Sequence, residues 1–150
     1  MSITDRIGLV LKGKGESKVL SIAPEQLVYE ALEMMAEHDI GALLVVSNHR
    51  PVGILSERDY ARKGVLMGHL SKETQVHQIM TTPIVSVSPK NTVDECLTLM
   101  TQHRIRHLPV LQDDSVVGLV SIGDLVKWVI SGQAQTIQAL QGYITGGFPG

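Results

Sequence analysis

The sequence contains a single cysteine, Cys96. One thiol can close no disulfide within the chain and cannot build a multi-cysteine zinc site. Aromatic residues are nearly absent, with one Phe, one Trp and three Tyr among 150 residues. The core must therefore be aliphatic, built from Val, Ile, Leu and Met. There is no basic excess either, because the formal net charge is -2. A slightly acidic chain with few stacking rings is not the composition of a general nucleic-acid binder. Long apolar runs are missing too: stretches such as Ala42 to Val46 are far too short to span a bilayer. Met1 to Gly15 has no long apolar core and no cleavage-site pattern. These absences lead us to expect a cytoplasmic protein with neither membrane nor nucleic acid as partner.

What is present is ordinary for a globule, with 43% hydrophobic and 19% charged residues. A chain of this length folds without staples, as one compact domain or as two small repeats sharing a core. The second option is written into the sequence. Shifted by 65 positions, the chain lies on itself without a gap. Ser21, Pro24, Val28, Glu30, Leu32, Met35 and His38 meet Ser86, Pro89, Val93, Glu95, Leu97, Met100 and His103. Ile40, Leu43, Val45, Val52, Gly53, Ser56 and Asp59 meet Ile105, Leu108, Val110, Val117, Gly118, Ser121 and Asp124. These 14 identities fall in the 41 positions from Leu20 to Tyr60, where chance gives on the order of two or three. The chain is an internal duplication.

Each copy has the same local grammar. A short β-branched run, Val19 to Ile22 or Ile84 to Val87, ends before a proline. Apolar residues then recur at 28, 31, 32 and 35, and again at 93, 96, 97 and 100, the spacing of one helix face. Thr92 and Glu95 have capping-box spacing. Two strands follow in each copy, Ala42 to Val46 with Val52 to Leu55, and Leu108 to Leu111 with Val116 to Val120. A second helix is expected to begin near Ser56 and near Ser121. The unit is β-α-β-β-α and the fold class α+β. The expected organisation is an N-terminal helix and lead-in over 1–18, with Ile3 to Leu11 helical. Repeat one covers 19–67, a linker 68–76 and repeat two 77–131. Residues 132–150 hold a C-terminal helix, spaced by Ile137, Leu140 and Ile144, and a tail.

A three-stranded unit with helices on one face cannot cover its other face, so the two copies should pack sheet to sheet about a pseudo-two-fold axis. Clefts are expected where their edges meet. The strongest pattern in the chain would lie there: Gly-apolar-apolar-Ser-x-x-Asp, at Gly53 to Asp59 and at Gly118 to Asp124.

The repeat and its paired motif make the chain resemble tandem CBS-domain proteins (Bateman modules). The resemblance is close to stand-alone bacterial members that contain ERDYARK and RHLPV. The resemblance spans about 19–67 and 77–131. It implies a regulatory pair that binds an adenine nucleotide: AMP first, with NAD(H), ADP and ATP also among the family's ligands, and S-adenosylmethionine as well. It further implies a homodimer, and an effector protein acting in trans. In the family the hydroxyl and carboxylate of the motif hold the ribose, here Ser56 with Asp59 and Ser121 with Asp124. Gly41, Ala42 and Leu43, and their counterparts Arg106, His107, Leu108 and Pro109, would offer backbone and apolar wall to the adenine. Arg58, Ile122 and Gly123 lie inside the motif. Lys18 and Thr82, Pro83 and Ile84 lead into the copies. Chemically the roles suit. A carboxylate accepts both hydrogen bonds of a ribose diol, and helix-start N–H groups favour an anion. Arg58, Arg62 and Lys63, and Arg104, Arg106 and His107, cluster where phosphate charge would need an answer.

Blander readings stand beside these. Ser-x-x-Asp at a helix start is a capping box in its own right, and Arg104 and Arg106 also suit a solvated face. His38 and His103 share a repeat position near a helix end, where a histidine answers the helix dipole. His103 and His107 are four apart, but a strand should begin between them, so no metal pair is expected. Cys96 replaces Ala31 and is expected to be a small buried residue. No catalytic triad, phosphate loop or metal cluster is written in the sequence, so no catalytic residue is expected. A nucleotide-hydrolysing or nicotinamide-dependent enzyme and an empty dimerisation scaffold are the rival readings. Copy one carries Glu57 and Arg58 where copy two carries Ile122 and Gly123, so unequal sites are expected.

Overall fold

The structure, a computed structural model, describes residues 4–15 and 19–132. The expected C-terminal helix over Ile137, Leu140 and Ile144 lies outside the described residues, as do Ile3 and Lys18. The described chain is mixed α and β, with one three-stranded and one two-stranded sheet. Among the described residues, no helix is long and apolar enough to cross a membrane.

The chain groups into two compact units. One holds, among the described residues, 19–86 and 109–119. Here β1 (Ser21–Ile22) runs parallel to β2 (Ala42–Ser47), which pairs antiparallel with β3 (Arg50–Ser56). Between β1 and β2 lies α2 (Val28–His38). The pleat separates two apolar layers. Leu43, Val45 and Leu55 join Val28, Ala31 and Met35 of α2 in one core, which uses the predicted helix face. Ala42, Leu44 and Ile54 form the other layer. It is covered by Ile84, Val116 and Leu119, so residues of the second copy do shield the first sheet's open face.

The other unit holds, among the described residues, 4–15, 87–108 and 120–132. It contains α1 (Ile7–Lys14) and α4 (Val93–His103). Residues 122–132 are also helical and are called α5. Its buried side chains include Ile7, Val10, Val93, Cys96, Met100, Leu108, Val120 and Leu125. The hairpin of β4 (His107–Gln112) and β5 (Ser115–Ser121) runs through both units.

The duplication reaches into backbone dihedrals. Positive φ occurs at Asp39 and Arg104, Asn48 and Asp113, and His49 and Asp114. Each pair is 65 residues apart. The first pair ends α2 and α4 in the left-handed conformation. The other two are the central residues of two-residue hairpin turns, where positive φ matches the strands' twist. Thr92 and Glu95 do form the expected capping box: the Glu95 N–H reaches Thr92 Oγ1 at 3.2 Å and the Thr92 N–H reaches Glu95 Oε1 at 2.9 Å. That backbone bond, with the Thr92 hydroxyl, holds the Glu95 carboxyl below its ordinary pKa.

Three expectations need revision. Residues 84–87 form no strand like β1; only Val87 makes a bridge. In copy one the Leu44 N–H donates to the Leu20 carbonyl at 3.3 Å. The position equivalent to Leu44 is Pro109, which has no N–H to give. The helix after Ser56 is only Glu57–Asp59 (α3) before it widens into a π-helix over Tyr60–Val65. The N-terminal helix begins at Ile7 rather than Ile3, because Arg6 is spent on a bridge to Thr92.

The segment expected as a linker also contributes to packing. Val76, at the end of that segment, and Ile79, just after it, are buried in the first copy's core. Thr74 and Val76 meet copy one as Asp5 and Ile7 meet copy two. The Val28 N–H donates to the Thr74 carbonyl and the Val93 N–H to the Asp5 carbonyl. The Val76 N–H donates to Gln26 and the Ile7 N–H to Asn91; the His77 N–H donates to Pro24 and the Gly8 N–H to Pro89. Leu27 bridges Gln75 as Thr92 bridges Arg6. The lead-in of each copy thus serves the other copy's helix. These pairs are 69 residues apart (Thr74 minus Asp5), four more than the 65 of the repeat. The surplus matches the extra turn by which α1 outlasts its counterpart, the short 3-10 helix Val76–Gln78.

Candidate functional site

β3 and β5 each end at the serine of the repeated motif, and each aspartate lies three residues on. In copy one the Ser56 N–H donates to Asp59 Oδ2 at 2.9 Å and the Asp59 N–H to Ser56 Oγ at 3.0 Å. In copy two the Ser121 N–H donates to Asp124 Oδ2 at 2.9 Å and the Asp124 N–H to Ser121 Oγ at 3.1 Å. Both motifs are therefore capping boxes, as the bland reading holds. The box also fixes each carboxylate at a strand end, half-buried. A second matched bond fixes the adjoining strand: the Gly41 carbonyl accepts from the Glu57 N–H at 3.0 Å, and the Arg106 carbonyl from the Ile122 N–H at 2.8 Å.

The neighbours of the two carboxylates differ. Thr81 Oγ1 donates to Asp59 Oδ1 at 2.9 Å. Lys63, one turn after Asp59, places its ammonium 3.3 Å from the same oxygen and from Thr81 Oγ1. Gly53 makes this approach possible. A Cβ there would stand 2.7 Å from Met80 Sδ and 3.0 Å from the Thr81 carbonyl oxygen, and Thr81 is bridged to Ile54 in both directions. The motif glycine thus admits the chain that carries Thr81. On Asp124 the neighbour is Lys14, whose ammonium lies 2.8 Å from Oδ2. Burial pushes the Asp124 carboxyl up, but the bonds from Lys14 and Ser121 and the lysine's charge outweigh it, so its pKa lies below the ordinary value.

The other expected site residues fall as follows. Ala42, Leu43 and Leu108 have side chains buried in the core and can offer a ligand only backbone. Pro109 is buried as well. The β1–β2 register covers Leu44 and Val45 and stops there, so the backbone of Ala42 and Leu43 continues beyond that pairing. Arg58 and His107 are half-buried, while Arg106, Ile122 and Gly123 are exposed. Thr82 is exposed and its hydroxyl donates to the Val52 carbonyl at 2.9 Å. It precedes Pro83 through a cis peptide, and Ile84 packs on the first sheet. Arg62 is exposed, whereas its neighbour Lys63 reaches the site.

Thr81 and Lys14 were not legible as site residues, because neither lies in the repeat they serve. His38 and His103 end α2 and α4, and His107 lies on β4, so His103 and His107 do not share a helix. Cys96 is fully buried, with its thiol pushed up to about 11 by burial and then by the Glu95 charge. Among the described residues, no group of three His, Cys, Asp or Glu side chains could hold a metal ion.

Comparison with known proteins agrees with this architecture. A family model of the CBS domain matches residues 16–65 and 76–131. The chain is 40% identical over 147 residues to the CBS domain-containing protein CBSX3, mitochondrial, of Arabidopsis thaliana, covering 93% of this chain and 71% of that one. A solved CBS-domain protein from Burkholderia ambifaria MC40-6 is 46% identical with a TM-score of 0.80, over 85% of this chain and 96% of its own. The CBS domain pair of protein MJ0100, solved with 5′-methylthioadenosine and S-adenosyl-L-methionine, shares the fold at 23% identity and a TM-score of 0.72, over 88% of this chain and 99% of its own. The chain belongs to the CBS-domain family, as a tandem pair of its repeats.

Proposed function

We propose that this chain is a regulatory module that binds an adenine nucleotide, AMP ahead of NAD(H), ADP or ATP, and signals through arrangements that bind it unequally. The observation that carries this reading is the second copy's carboxylate. Asp124 is anchored through Oδ2 by the Ser121 N–H and the Lys14 ammonium, and among the described residues it has no counterpart of the Thr81 hydroxyl that occupies Asp59 Oδ1. A ribose diol is a pair of donors, and a carboxylate fixed at a strand end is a fitting acceptor. The strand backbone around His107 and Leu108 lies at the other end of the Arg106–Ile122 hydrogen bond, in reach of a base edge. The fold is one on which adenosine compounds are held, as in the MJ0100 pair.

The proposal includes a homodimer. Ile122, Val126 and Ile130 of α5 are 39%, 46% and 60% exposed and recur every four residues, a stripe that a second copy would cover. Output then passes to an effector protein in trans, and the chain itself performs no chemistry.

Thermal melts with AMP, ADP, ATP and NAD test the reading. A ligand at 100 times its Kd stabilises by about 2.7 kcal/mol, or several degrees for a chain of this size. Asp124→Ala should abolish the shift. No shift with any nucleotide would favour the scaffold, and turnover of ATP or NAD would favour the enzyme.

A further inference from the structure

The two matched carboxylates differ in how fully they are occupied. Asp59 meets four donors: the N–H and hydroxyl of Ser56 on Oδ2, and the Thr81 hydroxyl and Lys63 ammonium on Oδ1. A carboxylate has about four lone-pair sites, so Asp59 is saturated from within. Asp124 meets three donors, the N–H and hydroxyl of Ser121 and the Lys14 ammonium, with the N–H and the ammonium on Oδ2. A bidentate diol needs one place on each oxygen. On Asp124 the Ser121 N–H and hydroxyl belong to the capping box, and Lys14 is the donor that comes from outside the motif.

Lys14 is also oddly placed. It is the last residue of α1, before Gly15 at φ 80°. It lies on the extra turn that α1 has and Val76–Gln78 lacks, so the first copy has no equivalent of this contact. Next to that turn stands Trp128, the sole tryptophan. A Cβ on Gly13 would lie 3.4 Å from its Cζ3, and its Nε1–H donates to Asp5 Oδ2 at 2.8 Å.

Building on the function proposed above, we infer that Lys14 is an intramolecular latch on the second copy's ligand carboxylate. Ligand hydroxyls and the Lys14 ammonium compete for Asp124, and ligand binding frees the last turn of α1. The first copy's Asp59, already saturated, has a structural duty. The ligand signal therefore leaves the site through α1.

The test compares the intact wild-type chain with Lys14→Met, Lys14→Gln and Lys14→Arg. Adenosine is the probe, because it carries the diol without a phosphate that Lys14 could hold; AMP is run in parallel. Lys14→Met and Lys14→Gln should bind adenosine about 1.5- to 5-fold more tightly by calorimetry, the range that a partly exposed ion pair can withhold. Lys14→Arg should match wild type. Trp128 emission should change when wild type binds adenosine, and the ligand-free emission of Lys14→Met should already lie towards the bound value. Unchanged or weaker adenosine binding by both Met and Gln variants, with wild-type binding intact, overturns the latch and leaves the nucleotide reading standing. Binding without a Trp128 response overturns the release of α1. Binding of neither ligand by any of these proteins overturns both readings.

Discussion

The Lys14 ammonium lies 2.8 Å from Asp124 Oδ2 and joins the end of α1 to the start of α5 across 110 positions of sequence. Both side chains keep some exposure, 31% and 24%, so the pair is worth no more than about 1 kcal/mol. Its pH dependence has a definite sign. The folded Asp124 pKa is depressed, so its contribution is present above the ordinary carboxylate pKa and is lost as pH falls through the folded value. Urea midpoints should put wild type above Lys14→Met at about pH 7, with the gap closing below about pH 4. A gap that does not change with pH would contradict the assignment.

The hairpin turns carry a cost that can be relieved. His49 and Asp114 have φ of 65° without being glycine, in turns that favour Asn-Gly and Asp-Gly. His49→Gly and Asp114→Gly should each stabilise the fold by roughly 0.5–1 kcal/mol. Because the two turns are copies, the gains should be alike. Chemical denaturation reads both.

Gly53 has no such freedom. A side chain there must displace Met80 and the Thr81 backbone. Gly53→Ala should cost about 1–3 kcal/mol, and it should loosen Thr81 from Asp59. Faster hydrogen exchange at the Thr81 amide, which donates to Ile54 at 2.8 Å, checks the second effect separately from overall stability.

The exchanged lead-ins predict equal importance for two residues that sequence alone treats differently. Ile7 and Val76 are both fully buried, the first in a supposed N-terminal extension and the second in a supposed linker. Ile7→Ala should cost about 2–5 kcal/mol, and Val76→Ala somewhat less, with its smaller side chain. A negligible loss for Ile7→Ala would show that α1 is an appendage.

The sequence-level expectations succeed where identity and period survive together. Ser21 to Asp59 and Ser86 to Asp124 keep both, so the helix faces, the hairpins and the capping-box geometry of the motif were legible. The lead-ins kept only an apolar pair, Ile7 with Val10 and Val76 with Ile79, and the four-residue offset broke their register with the repeat. No alignment at 65 could find them. Thr81 and Lys14 were missed for the same reason, since each reaches the opposite copy's aspartate. The missing strand before α4 was foreseeable. Pro109 stands where Leu44 donates its N–H, and a proline inside a strand pattern marks a lost ladder bond.

The central claim is that ligand binding belongs to the second copy's carboxylate and not to the first. Calorimetric titration of AMP into wild type, Asp124→Asn and Asp59→Asn tests it most directly. The account predicts that Asp124→Asn loses measurable binding while Asp59→Asn, once its folding is verified by thermal melting, keeps affinity within a few-fold of wild type. Wild-type affinity in Asp124→Asn, or lost binding confined to a folded Asp59→Asn, would contradict it.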